Sequence, residues 1–309
     1  MANSRLRVID SGATEAGSSG FEAYLRCPKE YQLQRIRGVM PVPRLHAPSA
    51  ALLIGTFFHA ARAAWVAYDR SSANGEKWRS AGAAAAEKHI RDGEDPAAVS
   101  QALTFSTDLF EQYVRWATLR PAWQPVVVEG KLGPAPFVLD DPRPLWRTAR
   151  LDLVAKLPSL PGLWWSEAKT TSSEPSAVVE QYTLHTQILW GLALWRTAPQ
   201  GEARHGPLRG VQLDIAQKGY GGRAAKFSRH IITVPPAALD WFVRDIRRHL
   251  RAANRMTPTS AAIRNPASCT RFHGRHRVAC PYRPLCALGS LGVHRYTVGE
   301  EMKGIKWWT

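Results

Sequence analysis

The sequence lacks an apolar run of the roughly 20 residues that a helix needs to cross a bilayer. Its N-terminus, MANSRLRVIDSG, also lacks the basic stretch followed by an apolar stretch that marks a secretory signal. No G-x-x-x-x-G-K-[ST] phosphate loop occurs in the 309 residues, so any unwinding of nucleic acid must come from another chain. These absences predict an intracellular, cytoplasmic protein with no membrane partner.

Acidic residues are scarce relative to basic ones. Lys and Arg number 41 against 25 Asp and Glu, which gives a formal net charge of +16 at pH 7. Such an excess favours a polyanionic partner, because neutralising phosphates releases condensed counterions. A basic surface that only keeps the chain soluble is the alternative.

Cysteines are also few. Cys27 lies near the N-terminus, and Cys269, Cys280 and Cys286 lie close together near the C-terminus. This pattern is not the disulfide framework of a small secreted domain. In a reducing compartment, such a cluster of thiols binds metal or packs as small apolar side chains.

Composition divides the chain into three parts. Residues 1–17 are polar and aperiodic, which predicts a loose N-terminal arm. Residues 18–290 predict a single domain, and residues 291–309 a C-terminal tail. An Ala-rich helical stretch at about 50–120 predicts a helical insertion packed on that domain.

Strand and helix patterns alternate after Pro121. Alternating apolar residues and turn signals predict strands at 126–132, 146–157, 163–170, 208–216 and 227–234, and helical spacing predicts helices at about 176–195 and 236–256. The pattern therefore predicts an α/β fold with a mixed central β-sheet flanked by helices.

The segment RLDLVAKLPSLPGLWWSEAKTTS carries the most informative polar residues. Glu167 and Lys169 are two apart on one predicted strand, so they project from the same face. Asp152, on the preceding strand, joins them if the two strands pair through the Pro-rich turn. Two carboxylates can hold Mg²⁺ or Mn²⁺, and a lysine can orient water or stabilise negative charge, as phosphodiester hydrolysis requires. Ordinary charges on an exposed edge strand are the alternative.

The order of motifs resembles the RecB-like branch of the PD-(D/E)XK nucleases. The motifs are GTFFH ending at His59, RLD ending at Asp152, EAK from Glu167 to Lys169, and the Gln-containing helix QYTLHTQILW. The opening SGFEAYLRCPKEYQL is similar too, so the resemblance covers about residues 19–286. It implies a restriction-endonuclease-like core in which His59, Asp152 and Glu167 bind the metal and Lys169 is catalytic.

The Gln-containing helix departs from the branch, in which a Tyr usually follows the Gln by four residues. Here Gln187 is followed by Trp190 and Gly191, whereas Gln181 is followed directly by Tyr182. We favour Gln187 as the catalytic glutamine, because a Gln in apolar surroundings needs hydrogen-bond partners that an active site or a DNA backbone can provide.

The cysteines extend the resemblance. In several RecB-like nucleases, including AddB-type helicase-nucleases and the CRISPR-adaptation exonucleases, one cysteine before the core and three after it bind an iron–sulfur cluster. The resemblance thus implies a [4Fe–4S] cluster on Cys27, Cys269, Cys280 and Cys286. Ten residues separate Cys269 from Cys280 where two are usual, so a zinc site and no metal remain alternatives.

Basic residues near the C-terminus are candidates for DNA contacts. Arg244, Arg248, Arg251 and Arg255 are spaced to lie on one helical face, where guanidinium groups can bind phosphates. Lys218 in a Gly-rich turn is a further candidate, and a merely solvated face is the alternative.

The resemblance implies a DNA exonuclease of recombination, repair or phage DNA metabolism. A helicase or recombinase is the implied protein partner. A different class of function is a catalytically inactive DNA-binding subunit of a larger helicase–nuclease complex. The complete set of Asp152, Glu167 and Lys169 favours the enzyme.

Overall fold

A computed structural model gives the arrangement of most of the chain. The structure describes residues 17–41, 50–68, 76–137, 146–219, 224–257, 259–265, 269–273, 276–288 and 296–297. The predicted N-terminal arm, except residue 17, and most of the predicted C-terminal tail therefore lie outside the described residues.

Helices and strands occur throughout the described chain. The helices are α1 (Ser18–Arg26), α2 (Pro28–Tyr31), α3 (Ala50–Tyr68), α4 (Glu76–Arg91), α5 (Pro96–Thr118), α6 (Pro175–Thr183), α7 (Thr186–Thr197), α8 (Glu202–His205), α9 (Pro236–Asn254) and α10 (Arg283–Leu288). The strands are β1 (Met40–Pro41), β2 (Gln124–Pro136), β3 (Trp146–Leu157), β4 (Leu160–Thr171), β5 (Leu208–Gln217), β6 (Lys226–Ile232), β7 (Thr270–His273), β8 (His276–Ala279) and β9 (Tyr296–Thr297). A π-helical turn, Gln32–Ile36, follows α2.

The chain forms two compact units. The first comprises Met1–His46, Pro134–Ala149 and Asp240–Thr309, and the second comprises Ala47–Gly133 and Arg150–Leu239. The prediction of one domain over residues 18–290 remains a prediction.

The main sheet has five strands in the order β2-β3-β4-β5-β6. β3 and β4 form an antiparallel hairpin, β4 and β5 are parallel, and β5 and β6 are antiparallel. A parallel pair needs a crossover, which α6, α7 and α8 provide. The predicted α/β fold with a mixed sheet flanked by helices is confirmed, and it is consistent with a restriction-endonuclease-like core.

Helices α3, α4 and α5 occupy the region of the predicted insertion. Their aromatic side chains form the centre of the second unit's core, with Phe58 against Phe110 at 5.2 Å and Trp65 against Tyr113 at 6.0 Å between ring centroids. Edge-to-face packing of this kind adds to the stabilisation from buried apolar area. Asp95 caps the start of α5 by accepting hydrogen bonds from two backbone N–H groups.

Helix α3 corrects the expectation that no stretch of the sequence is long and apolar enough to cross a bilayer. Its 19 residues, with a mean hydropathy of 1.4, are long and apolar enough to cross a membrane by length and composition. Half of that stretch is buried, and Phe57 and Phe58 lie in the core with buried Arg62 nearby. The hydropathy of α3 therefore reflects its place as a core helix, which passes the same test.

The helix expected at about 176–195 is two helices. α6 ends at Thr183, and α7 begins after His185, whose Nδ1 accepts a hydrogen bond from the Gln187 backbone N–H at 3.2 Å. This side-chain cap satisfies a donor that the first turn of α7 leaves free. The break was not predicted, because an imidazole is not among the preferred N-cap groups.

In the first unit, distant segments of the chain are joined by buried polar contacts. Gln32 is fully buried, and its amide nitrogen donates to the carbonyls of Thr257 at 2.9 Å and Ser260 at 2.7 Å. The Tyr282 hydroxyl donates to the Val39 carbonyl at 2.9 Å. The beginning and the end of the described chain therefore pack together.

Gly191 allows α7 to pack closely on the sheet. A Cβ at this position would lie 2.6 Å from the Trp165 ring, a distance that requires the ring or the helix to move. We expect Gly191→Ala to lower the free energy of unfolding by about 1–3 kcal/mol, because overpacking forces strain into a tight core. Urea denaturation followed by circular dichroism measures this loss.

Gly82→Ala is the matched control. Gly82 is also helical and buried, but its added Cβ would make only an ordinary 3.5 Å contact with Leu103. Higher helix propensity then stabilises this variant by up to about 1 kcal/mol. Equal effects of the two substitutions would contradict the close packing described for α7.

Candidate active site

The acidic residues lie where two strands of the sheet stop pairing. β3 and β4 pair from Leu153 and Ser166 toward their connecting turn, and Asp152 and Glu167 are the next residues beyond this ladder. The Ala168 backbone N–H donates to Asp152 Oδ2 at 3.2 Å, so the carboxylate itself bridges the two strands there. The end of the ladder brings the two carboxylates to one place.

Lys169 and Gln187 complete a hydrogen-bonded set around Glu167. Lys169 Nζ lies 2.6 Å from Glu167 Oε1, and the carboxyl group is only 1% exposed. The Gln187 amide donates to the same oxygen at 2.9 Å and accepts from Lys169 Nζ at 3.2 Å. The amide thus hydrogen-bonds to both partners of the ion pair, which explains why the first turn of α7 carries a glutamine.

His59 reaches the same site from α3. Its Nδ1 lies 3.0 Å from Asp152 Oδ2, and its side chain is 29% exposed. The structure therefore brings together all five residues predicted for the active site, namely His59, Asp152, Glu167, Lys169 and Gln187. Their chemical roles remain predictions.

The two carboxylates differ in acidity. Burial alone would raise the pKa of Asp152, but the adjacent His59, Arg62 and Lys169 cations lower it well below its ordinary value. The pKa of Glu167 is raised, first by burial and then by the negative charge of Asp152, and Lys169 opposes this only in part. The site therefore holds two acidic groups whose mutual repulsion is not fully offset.

The two bases at the site respond in the opposite way to burial. Burial would lower the pKa of Lys169, but the negative charge of Glu167 raises it well above its ordinary value. The pKa of His59 is likewise raised, because Asp152 outweighs burial. Lys169 is therefore a firmly protonated ammonium beside a buried carboxylate.

The donors at the site fit a hard divalent cation. Glu167 Oε2 is buried and accepts no hydrogen bond from any described residue, and a bound cation would satisfy it and relieve the repulsion from Asp152. No three His, Cys, Asp or Glu side chains in the described part of the chain form a group that could hold a metal ion. His59 accordingly faces Asp152 through its Nδ1 as a hydrogen-bond partner.

Arg62 is a site residue that the sequence analysis missed. It lies one turn after His59 on α3, is 2% exposed, and has Nη1 at 3.6 Å from Asp152 Oδ2. Nη2 donates to Ser166 Oγ at 2.6 Å, and the guanidinium lies over the Trp123 ring. Arg62 could have been identified from the sequence as an arginine within the apolar, Ala-rich stretch of α3.

Glu129, on β2, interacts electrostatically with Asp152. Its φ of 49° is in the left-handed region, which a non-glycine residue adopts only when its surroundings hold it there. Arg150 forms an ion pair with it, yet burial and the charge of Asp152 raise its pKa. Glu129 therefore adds a third acidic group at the edge of the site.

A second ion-pair network supports the sheet behind the site. Asp214 on β5 is 1% exposed and receives two hydrogen bonds from Arg229, at 2.7 and 2.9 Å, and one from the Tyr113 hydroxyl at 2.7 Å. The negative charge of Asp214 also helps to raise the pKa of Arg62, against the effect of burial. The buried cation that touches Asp152 is therefore balanced by a carboxylate on the neighbouring strand.

Two rings lie beside the lysine, at the junction of α6 and α7. Tyr182 and His185 stack with their centroids 4.7 Å apart, and Lys169 Nζ lies 5.4 Å from the Tyr182 centroid. Burial and the positive charge of Lys169 lower the pKa of His185, so this imidazole is neutral at pH 7. An aromatic side chain thus lies near Lys169, but it comes before Gln187 rather than after it.

The cysteines lie in the first unit. Cys27 and Cys280 are buried, Cys269 and Cys286 are partly exposed, and the Cys280 N–H donates to the Cys269 carbonyl at 2.9 Å. Burial raises the pKa of the Cys286 thiol, and the charges of the other three thiols raise it further. All four thiols are therefore close enough to interact electrostatically, although they do not form a metal-binding group as they stand.

The predicted DNA-contacting residues differ in exposure. In α9, Arg244 and Arg248 are exposed and Arg251 is partly buried, and Arg255, which follows the end of the helix, is exposed. Three of the four therefore present their charge to solvent. Lys218 is only 5% exposed, and burial lowers its pKa. The DNA contact predicted for Lys218 remains a prediction.

Arg229→Met tests the network behind the site. We expect the free energy of unfolding to fall by about 3–5 kcal/mol, because the substitution leaves Asp214 buried without its cation. Chemical denaturation measures the change. Arg91→Met, which removes an exposed arginine paired loosely with Glu87, is the control and is expected to change stability by less than about 0.5 kcal/mol. A loss in Arg229→Met no larger than the control's would mean that Asp214 does not depend on this partner.

Comparison with known proteins agrees with this geometry. A family model described as the PD-(D/E)XK nuclease superfamily matches residues 18–287. The search of curated proteins found no match.

Proposed function

The chain belongs to the PD-(D/E)XK nuclease superfamily, and we propose that it is a Mg²⁺- or Mn²⁺-dependent DNA exonuclease of the RecB-like branch. Members of the superfamily are typically nucleases that use divalent metal ions. The observation that carries the proposal is the pair of Asp152 and Glu167, which contact His59, Lys169 and Gln187 at the end of the β3–β4 ladder.

In this proposal the acidic residues hold the ion. Asp152 and the unpaired oxygen of Glu167 supply hard oxygen ligands, and His59 is the third ligand implied by the family resemblance. When bound, the divalent ion supplies Lewis-acid stabilisation of the negative charge that develops on the phosphate. The rest of the catalytic apparatus comes from the chain itself.

Lys169 and Gln187 orient the reactants. Lys169 keeps its proton, so its ammonium donates hydrogen bonds to the attacking water or to the developing negative charge. Gln187 holds both Lys169 and Glu167, which fixes the direction of each group before substrate arrives. Arg62 holds the Asp152 carboxylate from the opposite side and acts as a positioning residue.

The biological setting is part of the proposal. A net charge of +16 supports a nucleic-acid substrate, and the RecB-like order of motifs supports recombination, repair or phage DNA metabolism. A helicase or recombinase acts with the chain, because the sequence has no phosphate loop of its own. The alternative function is that of an inactive DNA-binding subunit of a helicase–nuclease complex. The following assay distinguishes this alternative from an active nuclease.

Single substitutions test the chemistry. The purified chain is expected to shorten end-labelled linear DNA with Mg²⁺ or Mn²⁺ and to be inactive in EDTA. Asp152→Ala and Lys169→Met each lose about 10²–10³-fold or more in rate, because a charge that stabilises the transition state is removed. Arg91→Met serves as the control with wild-type activity.

Two outcomes would contradict the proposal. DNA binding without metal-dependent cleavage by the wild type indicates the inactive subunit. Cleavage that survives both substitutions indicates a different active site. Covalently closed circular DNA is the companion substrate: an exonuclease leaves it intact, whereas nicking of the circle indicates an endonuclease.

We also propose that the four cysteines bind a [4Fe–4S] cluster. Supporting this are their grouping in the first unit and the electrostatic interaction of Cys286 with the other three thiols. Cluster formation requires the thiols to move closer than in the structure described, and it would couple metal binding to folding. Zinc and no metal are the competing states.

Anaerobic purification distinguishes these states. The protein is expected to be brown, with iron and sulfide in near-equal amounts, and Cys286→Ser is expected to lose both and to melt at a lower temperature. Zinc without sulfide by elemental analysis supports the zinc site. Colourless protein that lacks iron, sulfide and zinc indicates that the cysteines bind no metal.

A further inference from the structure

A buried arginine in the first unit has unused hydrogen-bond donors. Arg37 follows the π-helical turn and is 5% exposed, and its Nε and Nη1 donate no hydrogen bond to any described residue. Burial lowers the pKa of this guanidinium, and no carboxylate among the described residues opposes the effect. Burying a cation without an ion-pair partner is unfavourable, so this arrangement favours a role other than stability.

Two more cations lie near Arg37. Lys29 Nζ donates to Gln32 Oε1 at 3.0 Å, and the Gln32 carbonyl accepts from the Arg37 backbone N–H at 2.9 Å. The Lys29 backbone N–H donates to the Ile263 carbonyl at 3.1 Å, which places Lys29 beside the exposed Arg264. The pKa of Lys29 is lowered by burial and then by the positive charges of Arg37 and Arg264. The three cations therefore act on one small region.

The described part of the chain supplies no carboxylate that pairs with these three cations. Glu30, the acidic residue next to Lys29, is committed to Arg26 through two hydrogen bonds of 2.9 and 3.1 Å. Among the described residues, no carboxylate forms an ion pair with Arg37, Lys29 or Arg264. Gln32 is held rigidly by two backbone carbonyls, so it fixes the Lys29 ammonium rather than neutralising it. The region is an electropositive site built before any ligand arrives.

We propose that Arg37, Lys29 and Arg264 form a binding site for a backbone phosphate of nucleic acid, separate from the residues that perform cleavage. Paired N–H donors of a guanidinium match phosphate oxygens, and a lysine adds a compact charge. The identity of the phosphate as nucleic acid rests on the proposed function. Binding at this site contributes affinity and register without reading sequence.

The cysteine thiols are an alternative to phosphate as the source of negative charge for these cations. Cys27 and Cys286 oppose the lowering of the Lys29 pKa, so an iron–sulfur cluster held by the cysteines would lie within electrostatic reach of the same cations. The two sources predict different results when Arg37 is replaced. Loss of a phosphate ligand weakens DNA binding, whereas loss of charge balance around a cluster changes iron and sulfide content.

The test uses the full chain, with Arg37→Met as the variant. Binding of a fluorescein-labelled single-stranded oligothymidylate is measured by anisotropy in EDTA, across a series of salt concentrations. We expect about tenfold weaker binding and a salt slope smaller in magnitude by about 0.7, as for one lost contact to single-stranded DNA. Thermal melting of the free variant should be unchanged or higher, because an unpaired buried cation has been removed.

Matched controls distinguish a phosphate site from a general effect of charge and from a role in cluster binding. Arg91→Met removes an equal charge from an exposed site and should bind like the wild type. Arg37→Lys should recover part of the affinity, and an oligonucleotide with an uncharged methylphosphonate backbone should bind both wild type and Arg37→Met weakly and equally. If Arg37→Met binds the charged oligonucleotide as tightly as the wild type does, the proposal is overturned. If this variant also loses iron and sulfide, the cations balance the charge of a cluster instead.

Binding in EDTA also separates this inference from the proposed function. A chain that never cleaves DNA but loses oligonucleotide affinity through Arg37→Met retains the phosphate site and refutes only the nuclease assignment. A chain that cleaves DNA normally and binds it equally well without Arg37 keeps the nuclease assignment and refutes the phosphate site.

Discussion

The repulsion between two neighbouring carboxylates, buried Glu167 and partly buried Asp152, determines how the rest of the second unit is arranged. Asp152 and Glu167 lie where β3 and β4 stop pairing, and their charges repel each other. Cations and an amide surround them: His59 and Arg62 contact Asp152, while Lys169 and Gln187 contact Glu167. One oxygen of Glu167 still lacks a partner among the described residues, so the chain alone does not neutralise the pair. This residual imbalance is the physical basis for binding a hard divalent cation.

Helix α3 and strand β5 show how a core can support so much charge. α3 delivers His59 and Arg62 to Asp152, while its apolar residues, among them Phe57 and Phe58, fill the core. On β5, Asp214 balances the positive charge that Arg62 and Arg229 place inside the protein. Buried ions persist only when each has a partner in good geometry. The candidate catalytic set is thus one part of a larger network of buried and partly buried charges.

The first unit shows the opposite arrangement. Arg37 and Lys29 keep their positive charge near one another, and Glu30, the acid next to Lys29 in the chain, is paired with Arg26. A protein gains nothing in stability from such cations, so their natural complement is an anion that arrives from outside. The two units therefore hold complementary halves of the same chemistry: the second concentrates negative charge where a cation is required, and the first concentrates positive charge where a phosphate fits.

The sequence by itself determined the mixed α/β class and the common face of Glu167 and Lys169, and it placed Asp152 beside them on condition that the two strands pair. Period-two patterning depends on neighbours along one chain, and residues two apart on one strand share a face. His59 and Gln187 also followed from the sequence, through motif order rather than spacing. Tertiary structure alone decided the role of Arg62 and the break at His185, because each depends on partners more than a hundred residues away or on an uncommon cap. Burial was likewise not predictable from the sequence. A lysine in a Gly-rich turn is expected to be exposed, yet Lys218 is enclosed. Arg37 is also buried, and its Nε and Nη1 donate no hydrogen bond to any described residue. Such outcomes depend on which distant segments pack around a side chain, and local pattern does not encode that.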